Sequence, residues 1–103
     1  MGYNGVVNGK FKLDGRLDAY EVMKMEEELK KDVEKLLKGK DGKNVELDLT
    51  GVTYASSAFL RVLLWIRKRV AALGGGKVVL VGVGKELEKI LDISGFKPYF
   101  ELK

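Results

Sequence analysis

The sequence predicts an α/β fold, with a mixed, mostly parallel sheet of four or five strands and about three helices. Three observations predict it. Apolar residues recur at helical spacing in three separated windows. Between those windows lie short runs with strand character, Val45–Leu49 and Lys77–Val81. Strands that alternate with helices need crossover connections, and crossovers give parallel pairs. A tight-turn signal at Asn8-Gly9 adds one antiparallel pair at the start.

The elements follow in order. Asn4-Gly5 and Asn8-Gly9 are both turn signals, because Asn-Gly accepts positive φ at the two central positions of a tight hairpin. Val6-Val7 and Phe11-Lys12-Leu13 flank the second one. Phe11 and Leu13 alternate with Lys10, Lys12 and Asp14, the pattern of a sheet with one solvated face. Gly15-Arg16-Leu17-Asp18 reads as a turn into the first helix, with Asp18 its N-cap. That helix is predicted over Tyr20 to Lys38, burying Val22, Met25, Leu29, Val33 and Leu36. Glu26–Lys30, Glu27–Lys31 and Glu34–Lys38 are i,i+4 pairs in the favourable orientation on a solvated face. Met23 and Met25 read as core filler.

Gly39 to Asn44 is a polar loop, and Val45-Glu46-Leu47-Asp48-Leu49 alternates as a strand. The second helix is predicted over Ser57 to Leu73, with Phe59, Val62, Leu63, Ile66, Val70 and Leu73 inward. Gly74-Gly75-Gly76 ends it, since Gly takes the left-handed cap conformation freely. Lys77 to Val81 is nearly all apolar, as befits a central strand covered on both faces. Lys85 to Ser94 is a short third helix with Leu87, Ile90 and Leu91 inward and Gly95 after it. Pro98 stops helical continuation, and Tyr99 to Leu102 supply a last edge strand or pack down.

The bulk numbers bound the function. A chain of 103 residues is expected to be one domain. Its net charge of +4, from 19 Lys and Arg against 15 Asp and Glu, is too mild to single out nucleic acid. No apolar run reaches the roughly 18–20 residues of a membrane span, so a cytoplasmic setting is the default expectation. There is no His and no Cys, so a Ser-His-Asp triad and thiolate chemistry are excluded. The acidic residues have no spacing that converges on a metal, and no cofactor is expected. Gly74-Gly75-Gly76-Lys77 lacks the remainder of a P-loop, and Gly82-Val83-Gly84 is followed by Leu87 where a dinucleotide fingerprint needs Gly. An enzyme is not expected.

The segment Asp48-Leu-Thr-Gly-Val-Thr-Tyr-Ala-Ser-Ser-Ala-Phe-Leu60 carries most of the remaining information. It hands a strand-like run to a helix at Ser56 and Ser57. A helix N-terminus has unpaired N–H groups and a positive dipole end, and so favours anions such as phosphate. This segment resembles the signature of the domain shared by sulfate transporters and anti-sigma-factor antagonists, the STAS domain. Gly15-Arg-Leu-Asp18 before the first helix, Leu73-Gly-Gly after the second, and Ile90-Leu-Asp-Ile-Ser-Gly-Phe96 with Tyr99-Phe100 resemble the same family in the same order.

The resemblance implies a STAS-like sheet of the kind described and, in the antagonist branch, a serine phosphorylated by a partner kinase that is itself the anti-sigma factor. Aligned on Asp48-Leu49 and Leu60, the acceptor position falls on Ser57. Two signature positions differ: the family Asp is Ser56 here, and the family Gly is Phe59. The plain reading of the two serines is helix capping, worth about 1 kcal/mol. Trp65 lies opposite the buried stripe, among Arg61, Lys68, Arg69 and Ala72, and reads either as a partner or dimer anchor or as a ring covered by Arg61 and Arg69 or by the C-terminal segment. The candidate partner-binding residues are Ser56, Ser57, Arg61, Leu64, Trp65 and Lys68.

The lack of His and Cys, the single Pro, the Glu/Lys pairing and the explicit Gly caps have the style of an idealised sequence. Two functional readings follow. The first is a designed or redesigned STAS-like scaffold without native biochemical activity, a monomer or weak homodimer. The second is an anti-sigma-factor antagonist that binds an anti-sigma kinase and is switched at Ser57.

Overall fold

The computed structural model describes residues 2–38, 44–73 and 76–103. The loop expected at 39–43 and the glycines 74 and 75 lie outside the described residues. A hairpin opens the chain: β1 (Gly2–Val7) pairs antiparallel with β2 (Lys10–Leu17) across the turn at Asn8-Gly9. Both turn residues have positive φ, +53° and +77°, as the hairpin requires. Then follow α1 (Ala19–Leu37), β3 (Val45–Ala55), α2 (Ser57–Ala72), β4 (Val78–Val81) and α3 (Lys85–Ile93). A 3₁₀ turn (Lys97–Tyr99) leads into the edge strand β5 (Glu101–Leu102). Strand order is β1-β2-β3-β4-β5, and every pair after the hairpin is parallel.

The alternation in β2 and β3 sorts the sheet's faces. Phe11, Leu13, Leu47 and Leu49 are buried, while Lys10–Glu46 and Lys12–Asp48 form cross-strand ion pairs on the half-exposed side. In β4, Val78, Val79 and Leu80 are all buried, as a central strand demands. α1 contributes Val22, Met25, Leu29, Val33 and Leu37 to one core cluster, and α2 contributes Phe59, Leu60, Val62, Leu63, Ile66 and Val70. Tyr3 ties β1 to α1, its hydroxyl donating to Asp32 at 2.7 Å. Burial and that carboxylate push the Tyr3 hydroxyl far above its usual range, so it stays a neutral donor.

Several local expectations are corrected. Asn4-Gly5 is not a turn but an irregularity within β1, where the register with β2 shifts between Tyr3 and Val6. Gly15-Arg16-Leu17 is not a turn either; β2 runs through it, with a register shift between Gly15 and Arg16. β3 extends to Ala55 rather than ending at Leu49. Leu37, not Leu36, is the last fully buried residue of α1. Met25 is buried, but Met23 is 69% exposed and fills no core.

Candidate functional site

Parallel pairing brings two helix starts together. Leu17 of β2 is in register with Ala55 of β3, and the Ser56 N–H donates to the Leu17 carbonyl at 3.0 Å. The next residue on each chain caps a helix. Asp18 accepts from the Glu21 N–H at 3.0 Å at the start of α1. Ser56 Oγ accepts from the Phe59 N–H at 3.4 Å at the start of α2. The N-termini of α1 and α2 therefore emerge side by side, and their partial positive charges add on one edge of the molecule.

The two serines have different jobs. Ser56 is half-buried, with the extended backbone of an N-cap (φ −82°, ψ 170°). Ser57 is the first residue of α2 and is exposed. Among the described residues, no group hydrogen-bonds its hydroxyl. The capping expected of the pair belongs to Ser56 alone. Ser56→Ala is expected to cost about 0.5–1 kcal/mol, and Ser57→Ala less than about 0.5 kcal/mol, in urea denaturation. Equal losses at the two positions would contradict this division.

Phe59 replaces the family Gly without crowding the mouth of the helix. Its ring is 0% exposed and belongs to the core cluster. One turn beyond Ser57 stands Arg61, exposed and, among the described residues, without an ion-pair partner. Leu64 and Trp65 are half-buried on the same side, and Lys68 is exposed beyond them. Positions 57, 61, 64, 65 and 68 share one helix face by their spacing.

That face borders α1. Lys30 Nζ lies 4.9 Å from the centre of the Trp65 ring, and Arg69 Nη2 bridges Glu34 Oε1 at 2.9 Å. The two contacts keep the same sequence offset, so α1 and α2 run parallel. The expectation that Arg61 and Arg69, or the C-terminal segment, cover Trp65 is corrected: the cation over the ring is Lys30. Arg69 instead engages Glu34, which was expected to pair with Lys38. Glu26, Lys30, Ala58, Arg61, Leu64, Trp65 and Lys68 line a groove of about 450 Å³ between the helices. Glu26 and Lys30 were not anticipated as part of it. Only the α1–α2 packing brings them there, and a one-helix reading of α2 carries no trace of α1.

Exposed apolar groups ring the same edge. Tyr20 and Met23 on the first turns of α1 are 62% and 69% exposed. On the strand side the Arg16 guanidinium covers Tyr54 at 4.2 Å.

A five-stranded mixed sheet, three helices and a serine-bearing helix mouth on a strand–helix junction define a small α/β domain with a mostly parallel sheet. The family follows: a model of the STAS domain matches residues 3–103, and the chain belongs to that family. No curated protein matches the chain significantly. No helix of the described residues is long and apolar enough to cross a membrane.

Proposed function

We propose that the chain is an anti-sigma-factor-antagonist-like binding module whose partner meets the mouth and outer face of α2, and whose switch is phosphorylation of Ser57. The division of labour between the serines carries this reading. Ser56 holds the helix end, which leaves the Ser57 hydroxyl accessible at a site where a phosphate is welcome. A phosphate brings about −1.5 to −2 charges. There it meets unpaired N–H groups and Arg61 one turn along, so the fold tolerates both states. The domain would then signal by changing its surface rather than its shape.

The test is incubation with ATP and a STAS-partner kinase, followed by mass-spectrometric mapping. One phosphate is expected on Ser57, none in Ser57→Ala, and undiminished labelling in Ser56→Ala. Absence of label, or label on Ser56, refutes the switch.

A designed or redesigned scaffold without native activity is the competing reading. It is supported by the idealised composition and by the two altered signature positions, Ser56 and Phe59. It expects no labelling at all, and unfolding well above the ~45–65 °C of ordinary domains.

A further inference from the structure

We infer that the groove between α1 and α2 is a docking site for an acidic, amphipathic helical segment of a partner protein. Such a segment seats an apolar side chain on Leu64 and Trp65 and sets its carboxylates against Arg61 and Lys68. The inference rests on the reading of α2 as the partner-facing helix and adds the chemistry of the partner.

Charge distribution is the first support. α2 carries Arg61, Arg67, Lys68 and Arg69 and not one carboxylate. Those four cations equal the net charge of the whole chain, +4, so the remainder sums to zero. The excess is therefore concentrated on one helix. Two of its members are already engaged: Arg69 with Glu34, and Arg67 stacked 4.7 Å over Tyr99. Arg61 and Lys68 are the pair left facing the groove, and among the described residues neither has a carboxylate partner.

The groove's shape and floor are the second support. Leu64 and Trp65 are half-buried between those cations, so apolar surface lies at the bottom and charge at the rim. An indole recessed within a cationic rim is the composition of an interface anchor. The third support decides between anionic partners. Glu26 stands on the α1 rim, bonded to Lys30 at 2.6 Å. Their charges cancel, so the α1 rim offers no net cation to a continuous phosphate array such as a lipid surface or a nucleic acid. It accommodates a helix whose acidic residues lie only on the α2 side.

Trp65 is the single tryptophan of the chain, so its fluorescence reports the groove directly. The probe is a synthetic amphipathic helical peptide with Leu at i and i+4 flanked by Glu; its counterpart has Lys in place of Glu. The acidic peptide should shift Trp65 emission saturably, and the basic one should not. The Arg61→Glu/Lys68→Glu double variant should weaken binding at least about tenfold, because like charges then face each other. Lys85→Glu/Lys89→Glu on α3 makes the same change in net charge away from the groove and should stay within about twofold of the parent. Salt near 1 M, where the screening length is about 3 Å, should weaken binding.

Four outcomes overturn the inference. They are no response up to about 1 mM acidic peptide; equal weakening by the two double variants; response to phosphatidylserine vesicles but not to the peptide; and a dimer in sedimentation that Arg61→Glu/Lys68→Glu abolishes, which would make a second copy the occupant. The kinase assay is read separately. Failure of Ser57 labelling with peptide binding intact refutes the switch alone, and the converse refutes the partner chemistry alone.

Discussion

Phe59→Ala is expected to lower the free energy of unfolding by about 3–5 kcal/mol, the range for a fully buried phenylalanine whose cavity does not collapse. The ring is 0% exposed and shares one cluster with Leu17, Ala55 and Leu63, residues that end β2, end β3 and continue α2. Its loss would therefore loosen the point where three elements meet. Its backbone N–H is also the group that Ser56 caps, so a shifted first turn would weaken that bond too. The measurement is urea denaturation, with a lowered midpoint and an unchanged slope. A loss below about 1.5 kcal/mol would mean that the ring is not part of the core. Phe59→Gly, which restores the family residue, should cost about 1 kcal/mol more, because Gly is a poor helix former. This chain has thus turned a signature position into a packing position. The substitution that looks most damaging to the site is absorbed inward, and Ser57 is left unobstructed.

Much of this arrangement was legible because it is local. Asn8-Gly9 specifies its own turn, and Asp18 specifies its own cap. Strong periodicity in α2 reveals Phe59, Val62, Leu63, Ile66 and Val70 as an inward stripe, and each is buried, whereas Leu73, expected with them, is the C-cap and only half-buried. Most of the failures share a physical cause: they depended on a partner remote in sequence. The strand expected to end at Leu49 continues to Ala55 because β2 runs alongside it, with one extra residue of β3 between Asp48 and Gly51 opposite Lys12 to Asp14. Glu34 had a local partner in Lys38 and formed a bridge to Arg69 across the helix interface. Leu36 and Leu37 differ by one position, and the drift of a helix over nineteen residues decides which points inward.

The candidate site divides in the same way. The position of Ser57 at a helix mouth is local and was readable. Which serine caps was not, because the answer lies in the geometry of one hydrogen bond, from the Phe59 N–H to Ser56 Oγ. Residue type alone places Met23 in the core, and its 69% exposure shows that it lies off the buried stripe of α1. Trp65 was correctly placed off the buried stripe, but its neighbours come from α1. Binding surfaces are generally of this kind: a helical face can be drawn from one segment, whereas a groove needs two.

Gly82→Ala should cost about 3 kcal/mol, and the reason can be separated into two parts. Gly82 follows β4 with φ +73°, a left-handed conformation that costs other residues about 1–2 kcal/mol. A methyl group there would also overlap Thr50 Oγ1 and stand 3.0 Å from Thr50 Cα. Thr50 is not free to move. Its hydroxyl donates to Asp48 Oδ1 at 2.6 Å and its N–H donates to the same oxygen at 3.0 Å. Those two bonds, with Lys12 nearby, hold the Asp48 carboxyl below its usual range. The Gly82 N–H in turn donates to the Lys103 carbonyl at 3.1 Å, so displacement would loosen the chain end beside β5 as well. Gly15 supplies the comparison. Its φ is +80°, and a methyl group there meets nothing within 4 Å. Gly15→Ala should therefore show the conformational cost alone, about 1–2 kcal/mol. The excess at Gly82 measures crowding against Thr50, and it should shrink by about 1 kcal/mol when Gly82→Ala is made in a Thr50→Ala background. Equal losses at Gly82 and Gly15 would show that backbone conformation accounts for everything. The close approach of β4's end to the middle of β3 would then hold no stability of its own.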